Sequence, residues 1–226
     1  EKWLVLDGAA ADRILVSART SGETTDGDGI TLFLLDPRTR GVTVTPQSLV
    51  DGRRAAIIGL DGATVGADGV VGEVDKAGDL LDGVLDRATA ALCAEMFGSM
   101  LAAFEMTLQY LRTRKQFGVL IGTFQGLKHR AALVFTETEL ARSAVLGVAK
   151  ALDEKSANAS DLVSIAKARC SDAFLLAANE AVQMHGGIGM TDEHDIGFYL
   201  KRARAAEMTF GDAAWHRRRY AEAHGY

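Results

Sequence analysis

The sequence predicts an α+β protein, mostly α: a small antiparallel β domain over residues 1–78 followed by a four-helix bundle over residues 79–226. Three observations carry this. Residues 1–72 hold 11 of the 24 glycines and both prolines, spread between short runs rich in β-formers. From Asp79 to Gly225 there is no proline, and apolar residues recur at helical spacing. The breaks between these helical stretches are short, which favours antiparallel neighbours in a bundle.

The β runs are residues 3–6, 13–18, 31–35, 42–45 and 55–58. Turn chemistry separates them: Asp7-Gly8, the Thr/Asp/Gly-rich stretch 22–29, Asp36-Pro37, Asp51-Gly52 and Asp61-Gly62. Run 13–18 alternates poorly and reads as a buried strand, whereas 42–45 alternates cleanly and reads as half-exposed. Close spacing without intervening helix points to a small antiparallel sheet or barrel. The first helix is predicted over 79–112, with Leu81, Val84, Leu85, Ala88, Leu92, Met96, Met100 and Leu111 on its inner stripe. The second covers 124–153, with Leu127, Ala131, Val134, Leu140 and Val145 inward. The third covers 161–185, with Ile165, Ala168, Phe174, Leu175 and Val182 inward, and ends at glycines 186–189. A last helical region spans 195–223, broken near Phe210-Gly211.

A net charge of −5 with dispersed basic residues gives no footprint for nucleic acid. No uninterrupted apolar run approaches the ~20 residues of a membrane span, so no membrane partner is expected. Cys93 and Cys170 lie in helical apolar patterns, which argues against a disulfide or a zinc site and for a reducing, cytoplasmic setting. His129, His194, His216 and His224 show no ligand spacing, so no metal is expected. The chain enters a strand directly at Glu1, the look of a fragment or of a protein lacking a preceding domain.

Two stretches could carry chemistry. Residues 110–118, YLRTRKQFG, end one helix in a cationic-aromatic turn. Arg112, Arg114 and Lys115 suit a helix C-terminus in any case; with Phe117 and Gly118 they also suit an anion carrying a flat apolar group, such as a nucleotide diphosphate. Residues 183–190, QMHGGIGM, stop another helix at Gly186-Gly187. Such glycines commonly end helices, and they also leave backbone open to a flat ligand. No strand precedes them, so this is not a dinucleotide fingerprint. His185 reads as a capping contact or as an acid/base or ligand group. Arg217, Arg218 and Arg219 read as a solvated helix face.

YLRTRKQFG, Gln125 eleven residues beyond Arg114, and QMHGGIGM together resemble the C-terminal domain of the acyl-CoA dehydrogenase family. The opening EKWLVLDGAAADRILVSART resembles that family's middle β domain entered midway, so the resemblance covers essentially the whole chain. It implies α,β-dehydrogenation of an acyl-CoA thioester with FAD at a subunit interface. The residues matching the set one subunit donates to its neighbour's FAD are Arg114, Gln116, Phe117, Gln125, Gln183, Gly186 and Gly187.

The matching positions for a subunit's own chemistry depart from the family pattern. Phe210 stands where the family's late glutamate base is expected, and Ala88 at the alternative base position on the first helix, with Thr89 for the family's arginine. Asp86 lies about 200° round the helix from Ala88 and is a poor substitute. Leu4 and Leu6 replace the tryptophan and hydroxyl residue offered to the flavin ring. Asp212 and Ala214 replace a threonine and a glutamine near the flavin phosphates, where aspartate would repel. The resemblance therefore implies a subunit without its own catalytic glutamate. It would pair, as a heterotetramer, with a homologous catalytic partner acting on an acyl-CoA such as a steroid side-chain ester. The alternatives are a self-sufficient homo-oligomer using Glu95 or Glu207, and a flavin-free structural or regulatory module.

Overall fold

The computed structural model describes residues Glu1–Tyr226, which divide into two compact units, Glu1–Leu85 and Asp86–Tyr226. The first unit contains strands β1 (Lys2–Leu6), β2 (Ile14–Arg19), β3 (Ile30–Leu35), β4 (Val42–Ser48), β5 (Arg54–Leu60) and β6 (Val70–Val71). They form two three-stranded antiparallel sheets in the orders β1-β5-β4 and β2-β3-β6. Ile14, Val16 and Leu35 from one sheet meet Ala56 and Ile58 from the other in a small core. Pro46 is tolerated because β4 lies at a sheet edge, where no ladder donor is needed.

All five expected strands form, and two details of the expectation change. β2 is not a fully buried strand: Ile14 and Val16 point inward while Leu15 is 54% exposed, the period-2 alternation of a one-sided strand. β6 is a two-residue strand too short for any pattern to announce.

Helix α1 (Gly78–Thr113) starts in the first unit and enters the second. The second unit adds α2 (Gln125–Asp153), α3 (Ala159–His185), α4 (Ile196–Met208) and α5 (Ala213–Ala223). One core unites Leu92, Met96, Met100 and Phe104 of α1, Val134 and Val148 of α2, Val163, Cys170 and Phe174 of α3, and Ala203 and Ala206 of α4. α3 is the central element, packing against α2, α4 and α5. Its inner face carries Ala166, Ala173, Ala177, Ala178 and Ala181, and such small side chains let the helix axes come close.

Four residues placed inward by the sequence are exposed: Val84, Leu85, Leu140 and Ile165. In α2 the buried positions are Val134, Thr138, Ala141, Val145, Val148 and Ala151, a run of i+3 and i+4 steps. Leu140 sits one residue, hence about 100°, off that stripe. Several inner positions that the pattern does not mark hold small residues, Thr138 and Ala141 in α2 and Ala166, Ala173 and Ala177 in α3. α1 is also long and apolar enough by length and composition to cross a bilayer, against the expectation drawn from run length. Isolated charges such as Glu95 and Glu105 interrupt the run without much lowering its average. Its apolar side is used by the bundle core, with Leu92, Cys93, Met96, Met100, Phe104 and Leu111 buried.

Cys93 and Cys170 are free and buried. Arg217–Arg219 is not simply a solvated face: Arg217 pairs with Asp172, and Arg219 bonds Asp86 at 2.9 Å and Ser160 at 2.6 Å. Asp212 caps α5, accepting the Trp215 amide at 2.7 Å, the ordinary use of aspartate at a helix start.

Candidate nucleotide-binding groove

At its C-terminus α1 gives way to a hairpin of β7 (Lys115–Gln116) and β8 (Val119–Leu120). The two-residue turn is Phe117-Gly118, with φ of 55° and 80°. Positive φ at both central residues is what a type I′ hairpin turn demands, and it normally selects Asn-Gly or Gly-Gly. Phenylalanine in the left-handed region is strained, and such strain tends to collect at functional sites. Phe117 is 90% exposed, and its ring meets that of Phe124 edge-on, with centroids 6.1 Å apart. A strained turn therefore holds a large apolar ring out in the open.

The Arg114 backbone is held from both sides. Its amide donates to Tyr110 O at 2.9 Å, and its carbonyl accepts from Ile121 N at 2.9 Å. No carboxylate forms an ion pair with Arg112, Arg114 or Lys115, while most other arginines of the bundle have one.

Across from the hairpin, α3 ends at His185 and the chain turns through Gly186–Met190. The three glycines there have different reasons. Gly186 has φ 64°, a backbone that disfavours side chains. A Cβ on Gly189 would come within 2.7 Å of Val182 O, so internal packing requires that glycine. Gly187 has neither reason: its φ is not in the left-handed region and an added Cβ would meet nothing within 4 Å. Its bareness serves no contact within the chain.

These segments, about 70 residues apart in sequence, form one open groove of about 560 Å³. Arg114, Gln116, Phe117, Gln183, Gly186 and Gly187 all line it. Gln125 does not; it opens α2 just beyond Phe124 and is exposed. Tyr110, Ile121, Phe124, Leu127, Met184, His185 and Ile188 complete the lining. Of these, Phe124 carried the clearest overlooked signal, an aromatic just ahead of a helix and seven residues after Phe117.

His185 is 2% exposed, and burial lowers its pKa below the ordinary imidazole value. It does not cap a helix end; it bonds within its own last turn, to Ala181 O at 2.7 Å.

The expected base positions carry no carboxylate. Phe210, between α4 and α5, has φ 59° and its carbonyl accepts from His216 Nε2 at 2.9 Å. Ala88 is half-buried on α1. Of the alternatives, Glu95 is clamped by Arg202 at 2.6 and 3.0 Å and is half-exposed, and Glu207 pairs with Arg204 at 3.2 Å. No group of three His, Cys, Asp or Glu side chains is arranged to hold a metal ion.

An open groove in the helical unit thus joins an arginine without a carboxylate partner, an exposed ring and bare backbone. The family model described as acyl-CoA dehydrogenase, C-terminal domain, matches residues 79–224, and the chain belongs to that family. It is 32% identical over 207 residues to the acyl-CoA dehydrogenase IpdE2 of Mycolicibacterium smegmatis, covering 92% of this chain and 57% of that one. It is 31% identical over 215 residues to the probable acyl-CoA dehydrogenase YngJ of Bacillus subtilis, covering 93% and 56%. The chain thus spans about half the length of the curated relatives it matches. Among solved structures it superposes on butyryl-CoA dehydrogenase of Megasphaera elsdenii with a TM-score of 0.90 at 25% identity, covering 99% of this chain and 58% of that one. It also superposes on the ChsE4-ChsE5 complex of Mycobacterium tuberculosis with a TM-score of 0.87 at 27% identity, covering 98% and 58%.

Proposed function

We propose that this chain is a cytoplasmic subunit of a flavin-dependent acyl-CoA dehydrogenase, and that its groove holds the adenosine diphosphate part of an FAD whose ring and catalytic glutamate belong to a homologous partner. The observation that carries the reading is the groove itself. It gathers Arg114 without a counter-ion, the exposed Phe117 ring, and a Gly187 whose missing Cβ opens onto it. Those features fit the chemistry of a nucleoside diphosphate: anionic at one end, flat and apolar at the other.

In this reading Arg114 pairs with the diphosphate, a charge-assisted contact stronger than a neutral hydrogen bond. Phe117 packs on the adenosine side. Gln116 and Gln183 offer amide donors and acceptors from the two walls. Gln125, exposed at the start of α2, contacts the cofactor only once the partner is seated. Gly186 and Gly187 let the ligand lie along the backbone. When bound, FAD supplies the acceptor for the hydride leaving the acyl β-carbon. This chain's residues bind and orient that cofactor and shield it from water, while the α-proton goes to a carboxylate of the partner. A division of labour of this kind agrees with Phe210 and Ala88 at the base positions and with Glu95 and Glu207 engaged by arginines. The assembly is a heterotetramer of homologous subunits. A solved relative is likewise a complex, of ChsE4 with ChsE5. The substrate is a bulky acyl-CoA, with a steroid side-chain ester as the first to try.

Replacing Arg114 with alanine tests the reading. Loss of a charged hydrogen bond of about 2–3 kcal/mol lowers flavin affinity of the complex roughly 30- to 150-fold. The ratio of flavin to protein absorbance after gel filtration measures it; an unchanged ratio sinks the proposal.

A further inference from the structure

Helix α2 leaves one long face without a partner inside the chain. It packs on α3 along one side and meets α1 along the other, where Phe135 lies beside Phe104 and Arg142 over Phe97. Between those contacts Leu133, Thr136, Leu140, Ser143 and Gly147 stand exposed. Leu133, Leu140 and Gly147 follow one another at seven-residue spacing, the repeat that keeps a seam facing a second helix. The two leucines are 48% and 44% exposed. Gly147 lies in the helix interior, where glycine is among the least favourable residues, and a Cβ there would meet nothing within 4 Å. No contact within the chain explains it.

Size and charge share one centre of symmetry on this face. Leu133 lies seven residues before Leu140 and Gly147 seven after, so turning α2 end over end about Leu140 sets each Leu133 against a bare glycine. Among the charged side chains of α2, Arg130, Glu137, Glu139, Arg142 and Lys150 have ion pairs within the chain. The two left over, Lys128 and Asp153, have opposite sign and lie twelve residues before Leu140 and thirteen after. Glu139 and Arg142, 3.3 Å apart, stand one before and two after. All four fall within about 60° of one another round the helix, on one flank of the seam. In an antiparallel pair on a two-fold axis each flank meets the same flank of the copy. Lys128 then meets Asp153 of the second copy, and Glu139 meets Arg142 of the second copy.

We propose that this face of α2 pairs antiparallel with the same face of a second copy of this chain, on a two-fold axis passing near Leu140. Such an axis requires a self-complementary patch, and α2 has one in both side-chain size and charge. The inference goes beyond the reading of the groove and does not rest on it, since Lys128, Leu140 and Asp153 do not line that groove. In a heterotetramer the pairing puts two copies of this chain back to back, with a catalytic subunit on each.

The test uses the purified full chain, read by analytical sedimentation over a range of concentrations. The wild type is expected to be a dimer. K128E and D153K each set like charges against one another twice per dimer, and each is expected to raise the dissociation constant roughly tenfold. The double variant K128E/D153K restores opposite signs and is expected to return to within about threefold of wild type. L140R sets two arginines on the axis and is expected to give a monomer. L140C checks the position directly, since under mild oxidation a disulfide between copies forms only where the two Cα atoms lie within about 7 Å. A wild-type chain that stays monomeric at the highest concentration reached overturns the proposal. So does a dimer whose affinity is the same in K128E, D153K and L140R, with no L140C cross-link. R114A is expected to leave the dimer intact, and D153K to leave the flavin content of the complex unchanged, so the pairing and the groove reading can fail separately.

Discussion

Lys167 is fully buried in the middle of α3, and its ammonium group is saturated. Three N–H donors meet three acceptors: Ser171 Oγ at 3.1 Å, Glu207 O at 2.9 Å and Gly211 O at 2.7 Å. Burial pushes its pKa down, because the low-dielectric interior disfavours the charge. His216 reinforces the same loop through Phe210 O. Two buried bases therefore tie down the backbone at 207–211, the segment that carries Phe210. K167M strands two carbonyls in the core and is expected to destabilise the chain by about 2–5 kcal/mol, read as a shift of the urea midpoint. A pH effect follows from His185 and His216, both held below the ordinary imidazole value by burial. The unfolded chain binds protons there before the folded one does. Stability is thus complete above about pH 6.5 and falls as the pH drops through the folded values, with a limiting slope of about 1.4 kcal/mol per pH unit for each group. Urea melts between pH 7 and 5 check this; a stability that rises on acidification contradicts it. The burial of Lys167 was not read from the sequence, where a lysine ordinarily stands at the surface. Nor were the two carbonyls that help make its burial tolerable, since they lie 40 and 44 residues away.

The hairpin after α1 sets turn stability against ligand contact. A type I′ turn prefers asparagine to phenylalanine at its first central position, and Phe117 gains little from its own chain beyond the edge contact with Phe124. F117N is therefore expected to leave stability unchanged or raise it by up to about 1 kcal/mol, while lowering ADP or flavin affinity roughly tenfold through loss of ring stacking. Matched urea melts and nucleotide titrations separate the two; a destabilised variant with normal affinity would show the ring to be structural. The helices were well marked in the sequence, because apolar residues at i+3 and i+4 repeat for many turns, and each long helix begins and ends within two residues of expectation. The hairpin was read only as a turn. Two-residue strands contain no repeat, and their pairing, Lys115 with Leu120 and Gln116 with Val119, exists only in three dimensions.

For the whole molecule, fold class was legible because glycine-rich β runs and proline-free helical periodicity occupy separate parts of the chain, residues 1–78 and 79–226. The groove was legible only through family resemblance. Nothing in spacing says that Arg114 and Gly187, on different elements, face one cavity. In the proposed reading a partner supplies the catalytic carboxylate, and this makes the last prediction. Purified by itself, the chain is expected on that reading to be colourless or nearly so, since the residues proposed to meet the cofactor suit only its diphosphate end. Co-expressed with a homologous subunit that carries the late glutamate, it is expected to yield a complex with flavin absorbance. That colour should be lost with R114A in this chain and kept, without turnover, when the partner's glutamate is replaced by glutamine. A chain that is yellow and turns over acyl-CoA alone would place the base here after all. E95Q and E207Q would then identify it, although either carboxylate would first have to leave its arginine.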